Sequence, residues 1–356
     1  MVSILSILSC IVLLLSILPF SRNQHWVFRV PDFIRPQIFV LQLLLLTVSM
    51  FYLNALGNMK WICLALIFSV LYNVYIFARF TKFWRSTKYA PSEHHSNDIK
   101  VISVNVYQFN TAYERLVELI NREQPDIFLT MESNLDWENA MQPLEKDYPY
   151  SQKIALENTY GMHFYTKLKV ISLKVHHFVA DDLPSIEAEI ETNDGYRFVF
   201  FGVHPPPPSP TEEATSKERD GDLLSVAKQV KDYKLPVFVT GDFNTVAWSR
   251  ASILFKKTSG LIDARYGRGY LATFHTKYWF FRIPLDLLYH SSTIFIRYLK
   301  ILPSIGSDHF PIMSIFYIDK NNDEQESDIK TLDSDEKIEV EELIEEGKEE
   351  VSDNRQ

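Results

Sequence analysis

The first 80 residues alternate long apolar stretches with short polar joints. Ile4 to Phe20, Ile38 to Leu56 and Trp61 to Ala78 run for 17, 19 and 18 residues without Asp, Glu, Lys or Arg. A hydrocarbon layer about 30 Å thick is crossed by about 20 helical residues, so the pattern predicts three transmembrane helices within residues 1–80. Trp26, Trp61 and Trp84 border the runs together with several Arg and Lys, as residues of a membrane interface do. No Lys or Arg precedes the first run and no small-residue cleavage pattern follows Pro19, which points to an uncleaved anchor rather than a secretion signal.

Past Ala78 the pattern changes. Residues 81–98 form a polar juxtamembrane linker in which Lys82, Arg85 and Lys88 interleave with Phe83, Trp84 and Tyr89; beside a membrane helix this composition reads as a headgroup collar. Residues 99–318 mix two periods. Val101 to Val106 is strand-like, Leu116, Leu119 and Ile120 fall at helical spacing within Tyr113 to Arg122, and Ile127 to Met131 is a second short apolar run, giving a strand, helix, strand unit. Further predicted strands are Met162 to Thr166, Ile186 to Ile190, Arg197 to Val203, Val237 to Thr240, Leu285 to Tyr289, Tyr298 to Ile305 and Phe310 to Ile318, with one helix over Glu212 to Tyr233.

The polar residues that interrupt these strands are of one chemical kind. Asn105 lies in the first strand, Glu132 just after the second, His204 just after Val203, and Asp242 and Asn244 in the string Gly241-Asp242-Phe243-Asn244; Asp308 and His309 lie in Ser307-Asp308-His309. Strand ends hold catalytic groups rigidly. A lone carboxylate there is usually a turn former or helix cap, but several in the same register form a pattern. Pro205 to Pro208 cannot continue a strand, so the chain leaves its sheet at His204.

Charge and cysteine content narrow the class. The net charge of −9 is concentrated in residues 319–356, which carry 16 acids and 5 bases, while the rest carries 29 acids and 31 bases. That tail has few apolar residues, which predicts a disordered acidic extension. The only cysteines, Cys10 and Cys63, lie in the apolar runs, so residues 99–318 contain no disulfide. Oxygen donors from Asp, Glu and Asn suit Mg2+ or Mn2+, whereas zinc favours clustered His or Cys. His176-His177 are adjacent in a predicted strand and point to opposite faces, and His94-His95 lie in the linker; neither pair reads as a metal site. Arg250 and Arg268 read equally as phosphate clamps or as partners of surface acids.

In order and spacing these strings resemble the endonuclease/exonuclease/phosphatase superfamily, the DNase I-like fold, over about Ile99 to Ile318. The resemblance covers Asn105, Glu132, His204, Gly-Asp-Phe-Asn, Pro-Leu-Asp ending at Asp286, and the closing Ser-Asp-His. It implies a four-layer α/β/β/α sandwich preceded by three transmembrane helices, and a metal-dependent hydrolase of phosphoric ester bonds. It further implies that Asn105, Glu132 and Asp308 hold the cation, that Asp242 orients or deprotonates water, and that Asn244 binds a phosphate oxygen. His309, oriented by Asp286, would contact the scissile phosphate, and His204 would stand near the leaving group. The nearer resemblance is to a bacterial membrane-anchored branch sharing Asn158-Thr159-Tyr160-Gly161-Met162, Val203-His204-Pro205, Val246-Ala247-Trp248-Ser249-Arg250 and Thr273-Phe274-His275, with Asn158 a substrate-binding candidate and His163 and His275 candidate pocket residues. Leu287 stands where the superfamily commonly has an aromatic or His, and no basic residue interrupts Pro205 to Pro208.

A nuclease needs a strongly basic face, and residues 1–318 are nearly neutral. A tethered site favours a phosphate ester carried in the bilayer, with nucleic acid the second substrate class and a non-catalytic binding module the third reading. Arginines in Ser21 to Gln37 and bases after Ala78 place the domain in the cytoplasm by the positive-inside rule; the branch resembled has its domain outside the cell membrane. The expectation adopted is an extracytoplasmic domain.

Overall fold

The computed structural model describes residues 2–52, 59–84 and 97–352. Most of the predicted linker, with Arg85, Lys88, Tyr89 and His94-His95, and the end of the second apolar run lie outside the described residues.

Three apolar helices form the anchor: α1 (Val2–Ile17), α3 (Arg35–Met50) and α4 (Met59–Ala78). A short helix, α2 (Trp26–Phe33), precedes α3 and meets it at 70°, so among the described residues the chain has two helices long and apolar enough to cross a membrane, or three if the bent pair counts as one span. The anchor is held by more than apolar contact. Gln42 of α3 donates to Ser16 (2.8 Å) and Ser69 (2.7 Å), Asn73 of α4 donates to Gln42 (3.1 Å), and Arg35 donates to Asn73 (3.3 Å). In an apolar surround such bonds tie helices together because no water competes for them.

The remainder is a sandwich of two six-stranded sheets. The first contains β1 (Ile99–Asn105), β2 (Ile127–Met131), β3 (Tyr150–Ile154), β4 (Met162–Thr166), β11 (Ile294–Ile301) and β12 (Ile312–Ile318), in the order β11-β12-β1-β2-β4-β3. The second contains β5 (Lys169–His176), β6 (Ser185–Glu191), β7 (Arg197–Val203), β8 (Val237–Asp242), β9 (Ile262–Asp263) and β10 (Asp286–His290), in the order β5-β6-β7-β8-β10-β9. The inner strands read as unbroken apolar runs because both faces are buried. In β1, Val101 points into the core between the sheets while Ile102 and Val104 pack outward on α5 (Tyr113–Glu123) and α6 (Leu135–Met141). In β7, Phe198 and Phe200 face that core while Val199, Phe201 and Val203 pack outward on α7 (Lys217–Lys231) and α8 (Arg250–Ser259). This is the α/β/β/α layering expected.

Two parallel pairs set the polarity of the site. β1 pairs with β2 and β7 with β8 in parallel, each through a helical crossover, while β12 runs antiparallel to β1 and β10 antiparallel to β8. The ends of β1, β2, β7 and β8 and the starts of β10 and β12 therefore share one edge. Gly241 makes that edge compact: at φ +149° it passes so close to β7 that a Cβ would stand 1.9 Å from the Val203 carbonyl oxygen.

Over its described residues, 319–352, the acidic tail is ordered by a helix, against the expectation of a disordered extension. It forms α9 (Ser334–Glu349), opened by a capping box between Asp333 and Glu336. Val340 and Ile344, one helical turn apart, pack on Leu224 of α7 and Leu254 of α8. Glu336 pairs with Lys257 (2.6 Å) and Arg250 (3.1 Å), Arg250 also bonds Glu339, and Lys228 pairs with Glu341 (2.7 Å). Gly347 meets Gly221 of α7 so closely that a Cβ on Gly347 would lie 2.8 Å from the Gly221 Cα. Composition overstates solvation here because the acids meet a basic surface of the same chain.

Candidate active site

Each predicted site residue except Asn158 arrives at the shared edge, and Asn105 and His309 reach from the first sheet to carboxylates of the second. Asn105, closing β1, donates its amide NH2 to Glu132 Oε1 (2.7 Å) and to Asp242 Oδ2 (3.1 Å), so one side chain bridges the sheets. Its oxygen accepts the Tyr107 N–H (2.9 Å). A backbone N–H can meet only an acceptor, which fixes the amide orientation. Asn105 thus positions two carboxylates, and one lone pair of its oxygen is not used by the Tyr107 bond.

Glu132 follows β2 in the left-handed region, φ 57°. Its Oε2 accepts the Gln108 N–H (3.2 Å). Burial raises its pKa to about 7, opposed by the Asn105 bond and by His309 and reinforced by Asp308. Glu132 and Asp308 are therefore close enough to repel. Among the described residues no group of three or more His, Cys, Asp or Glu is arranged to hold a metal; the donor set here is two carboxylates and an amide, the hard oxygen type that suits Mg2+ or Mn2+.

The second half of the site handles protons. Asp286 opens β10 directly opposite Asp242, which closes β8. His309 reaches across to both: Nδ1 lies 2.8 Å from Asp286 Oδ2 and Nε2 lies 3.5 Å from Asp242 Oδ2. Burial alone would lower its pKa, but the two carboxylates outweigh that and raise it to about 10. His204, also buried, goes the other way: desolvation lowers it to about 4 against the pull of Asp242. The two imidazoles therefore hold opposite protonation states at neutral pH, one a cation and one neutral.

Several supports were not legible beforehand. Ser307 donates to the Asn105 carbonyl (2.8 Å) and accepts the His309 N–H (3.0 Å), locking the Ser-Asp-His turn onto β1. Thr273 accepts the Asp286 N–H (3.3 Å). Gln108 holds the Thr159 N–H (2.8 Å) with its side chain while its own N–H holds Glu132. The polar step Tyr107-Gln108 straight after a strand was the available signal. Tyr107, Glu132, Thr159 and Asn244 all have positive φ, and such strain gathers where surrounding bonds over-determine the backbone.

Other predicted residues are placed as follows. Asn244 spends an amide hydrogen on the Pro205 carbonyl (2.9 Å) and its N–H on Asp242 Oδ1 (3.0 Å), so it straps the turn after His204 to β8. Asn158 stands one layer out: it bonds Asp182 (3.1 Å) and the Tyr160 N–H (3.2 Å), and the Tyr160 ring lies 5.5 Å from that of His204. His163 is buried between strands with both nitrogens unpartnered and its pKa lowered to about 3 by burial. Arg250 is committed to α9, and Arg268 donates to the carbonyls of Ala264 and Ile296, so neither is a phosphate clamp. His176 lies at the same end of its sheet but two strands out from β7, where it pairs with Glu187 (2.7 Å). A cavity of about 530 Å3 lies elsewhere, between the anchor and the domain, bordered by Arg29, Arg35, Arg219 and Glu342 and by none of the site residues.

The fold recurs in solved proteins. A humanized D. rerio TDP2 aligns with a TM-score of 0.53 at 16% identity, covering 62% of this chain and 99% of that one. The human Nocturnin catalytic domain aligns with 0.52 at 18%, covering 64% and 97%. A Bacteroides thetaiotaomicron mannosyl-6-phosphatase aligns with 0.50 at 16%, covering 62% and 100%. No curated protein sequence matches the chain. A family model matches residues 102–309, which begins inside β1 and ends on His309. That span contains every candidate site residue, and the chain is accordingly a member of the Endonuclease/Exonuclease/phosphatase family of phosphoester hydrolases.

Proposed function

We propose that this chain is a membrane-anchored, metal-dependent phosphoesterase that hydrolyses a small or lipid-linked phosphate ester by in-line attack of water. The observation that carries the reading is the Asp286, His309, Asp242 array beside Glu132: a buried cation fixed by two carboxylates, next to a carboxylate pair. Glu132 and Asp308, with the remaining lone pair of Asn105, would hold Mg2+ or Mn2+. Such an ion supplies charge neutralisation at the phosphoryl oxygens.

The chain's own groups do the rest. Asp242 presents Oδ2 toward the reacting face and orients the attacking water, taking its proton as the bond to phosphorus forms. Protonated His309 donates through Nε2 to a phosphoryl oxygen, and Asp286 keeps it charged while the substrate's negative charge grows. As the bond from water to phosphorus forms, the phosphorus–oxygen bond opposite it breaks; neutral His204 hydrogen-bonds the departing oxygen, which takes its proton from solvent, and Asn158 lines the outer rim for the substrate. Asn244 sets the distance between the His204 turn and Asp242.

Nucleic acid is the second reading, favoured by likeness to a D. rerio TDP2 solved with a single-strand DNA product, TM-score 0.52 at 16% identity. Against it stands the near-neutral charge of residues 1–318, since polyanion binding rests on a basic face. The extracytoplasmic placement of the domain belongs to the same proposal; a reporter fused after α9, so that the helix is kept, tests it, and activity of a cytoplasmic reporter overturns it. The activity is tested on the full chain in detergent with a panel of phosphomonoesters, phosphodiesters and DNA. Release that is abolished by EDTA and by Asp242→Ala is expected; no metal-dependent release from any phosphoester sinks the proposal.

A further inference from the structure

Four consecutive aromatic residues, Tyr278, Trp279, Phe280 and Phe281, lie on the outside of the catalytic domain in the loop before β10. They are 42%, 77%, 50% and 46% exposed. A water-soluble surface seldom exposes such a contiguous apolar run without a partner. Trp279 is as bare as Trp61 on the apolar face of α4, which is 72% exposed.

The loop's position says what covers it. α1 ends, α3 begins and α4 ends on the domain side of the anchor, so the first turn of α3 marks the boundary of the apolar layer. Gln37 in that turn donates to the Phe280 carbonyl (2.7 Å). Below the loop, Ile283 and Leu285 share a buried cluster with Ile76 and Phe80 at the end of α4, and Phe33 and Phe77 pack against it. The rings are thus continuous with the lipid-facing surface of the anchor. Lys277 and Arg282 flank them, the arrangement of aromatics and bases typical of a headgroup interface.

The same loop is bonded to the catalytic edge. Thr276 donates its N–H to the Asp308 carbonyl and its hydroxyl to the Ser307 carbonyl, both at 2.8 Å. Phe274 lies 5.0 Å, ring to ring, from His309 and also packs in the cluster under the loop. Only a layer of side chains separates the bilayer boundary from the charged imidazole.

We infer that Tyr278 to Phe281 dock into the bilayer at the boundary of headgroups and acyl chains, holding the catalytic edge against the headgroup layer so that it takes phosphate esters carried by lipids. The substrate half of this inference rests on the phosphoesterase reading; the docking half does not.

The test uses the full chain in vesicles of phosphatidylcholine and phosphatidylglycerol. With Cys10 and Cys63 replaced by Ala, an environment-sensitive fluorophore is attached at Trp279→Cys and, as a control, at Lys231→Cys, which sits at the end of α7 leading into the start of β8, the edge opposite the site. Blue-shifted emission and quenching by spin-labelled lipid at 279 but not at 231 are expected; water-like emission without quenching at 279 overturns the docking. In parallel, the triple variant W279S/F280S/F281S is assayed on phosphatidic acid in vesicles and on soluble p-nitrophenyl phosphate. Loss of about tenfold or more on the lipid, with the soluble rate unchanged, is expected. An equal loss on both, or on neither, overturns delivery from the bilayer. Absence of hydrolysis of either by the wild type, with 279 still quenched, overturns the substrate half of the inference and keeps the docking surface; the phosphoesterase reading falls with it only if the full panel of phosphomonoesters, phosphodiesters and DNA also shows no metal-dependent release.

Discussion

The two halves of the sandwich follow one chain plan and end in different chemistry. In each, strand, helix and parallel strand bring two polar residues to the same edge: Asn105 and Glu132 from β1, α5 and β2, and His204 and Asp242 from β7, α7 and β8. In the proposed function the first half would offer oxygen atoms to a cation. The second pairs imidazoles with carboxylates. Topology decides where the groups stand, but side-chain type and burial decide their charge, so Glu132 is raised to about 7 while His204 is lowered to about 4. His309 belongs to the turn before β12, in the first sheet, yet its partners Asp286 and Asp242 are in the second, and it couples the halves.

If the halves divide the labour in this way, their variants must fail differently. Asp242→Asn should lower kcat by about 10^2 to 10^4 with metal affinity close to wild type, measured by calorimetry; parallel loss of both would erase the division. Glu132→Gln should raise the metal concentration for half-maximal rate by about 10 to 100-fold, with partial rescue at saturating metal. A kcat defect insensitive to metal would move Glu132 to the proton-handling half. Asp286→Asn removes one of two carboxylates that hold His309 charged. The alkaline limb of kcat/KM should then move down by about one unit or more, and an unmoved limb would mean that His309 does not act as a cation.

The smallest effect concerns both halves without metal. Glu132 and His309 have folded pKa values raised to about 7 and about 10, above their unfolded values of 4.5 and 6.5. A raised group stabilises below its unfolded pKa and loses that contribution as pH rises through its folded one. His204 has the opposite sign, but its window, from about 4 to 6.5, has closed by then. In EDTA, stability should fall between pH 6.5 and 8 by roughly 1 to 2 kcal/mol, and Mg2+ should lessen the fall. Stability that rises over this range in chemical denaturation would refute the charge assignment.

Much of this was legible along the chain. Strands such as β2 and β4 were found to the residue because a fully buried strand is a short, unbroken apolar run, and α7 was read as a helix over Glu212 to Tyr233, although it begins only at Lys217. α9 was missed because acids dominated its composition, while its two core contacts, Val340 and Ile344, are few and its charge partners lie about a hundred residues away. α8 and the short β9 were missed for want of a strong period.

The sequence by itself determined that apolar helices precede a mixed α/β domain, and which side-chain types stand at the strand ends, because burial periodicity and turn residues are local properties; the two-sheet layering was implied by the family resemblance. Only the tertiary structure decided that the Asn105 amide nitrogen faces Glu132 and Asp242, that His309 is charged while His204 is neutral, and that an aromatic loop lies against the first turn of α3. Those are properties of distance and dielectric, and neither exists until the sheets close on each other.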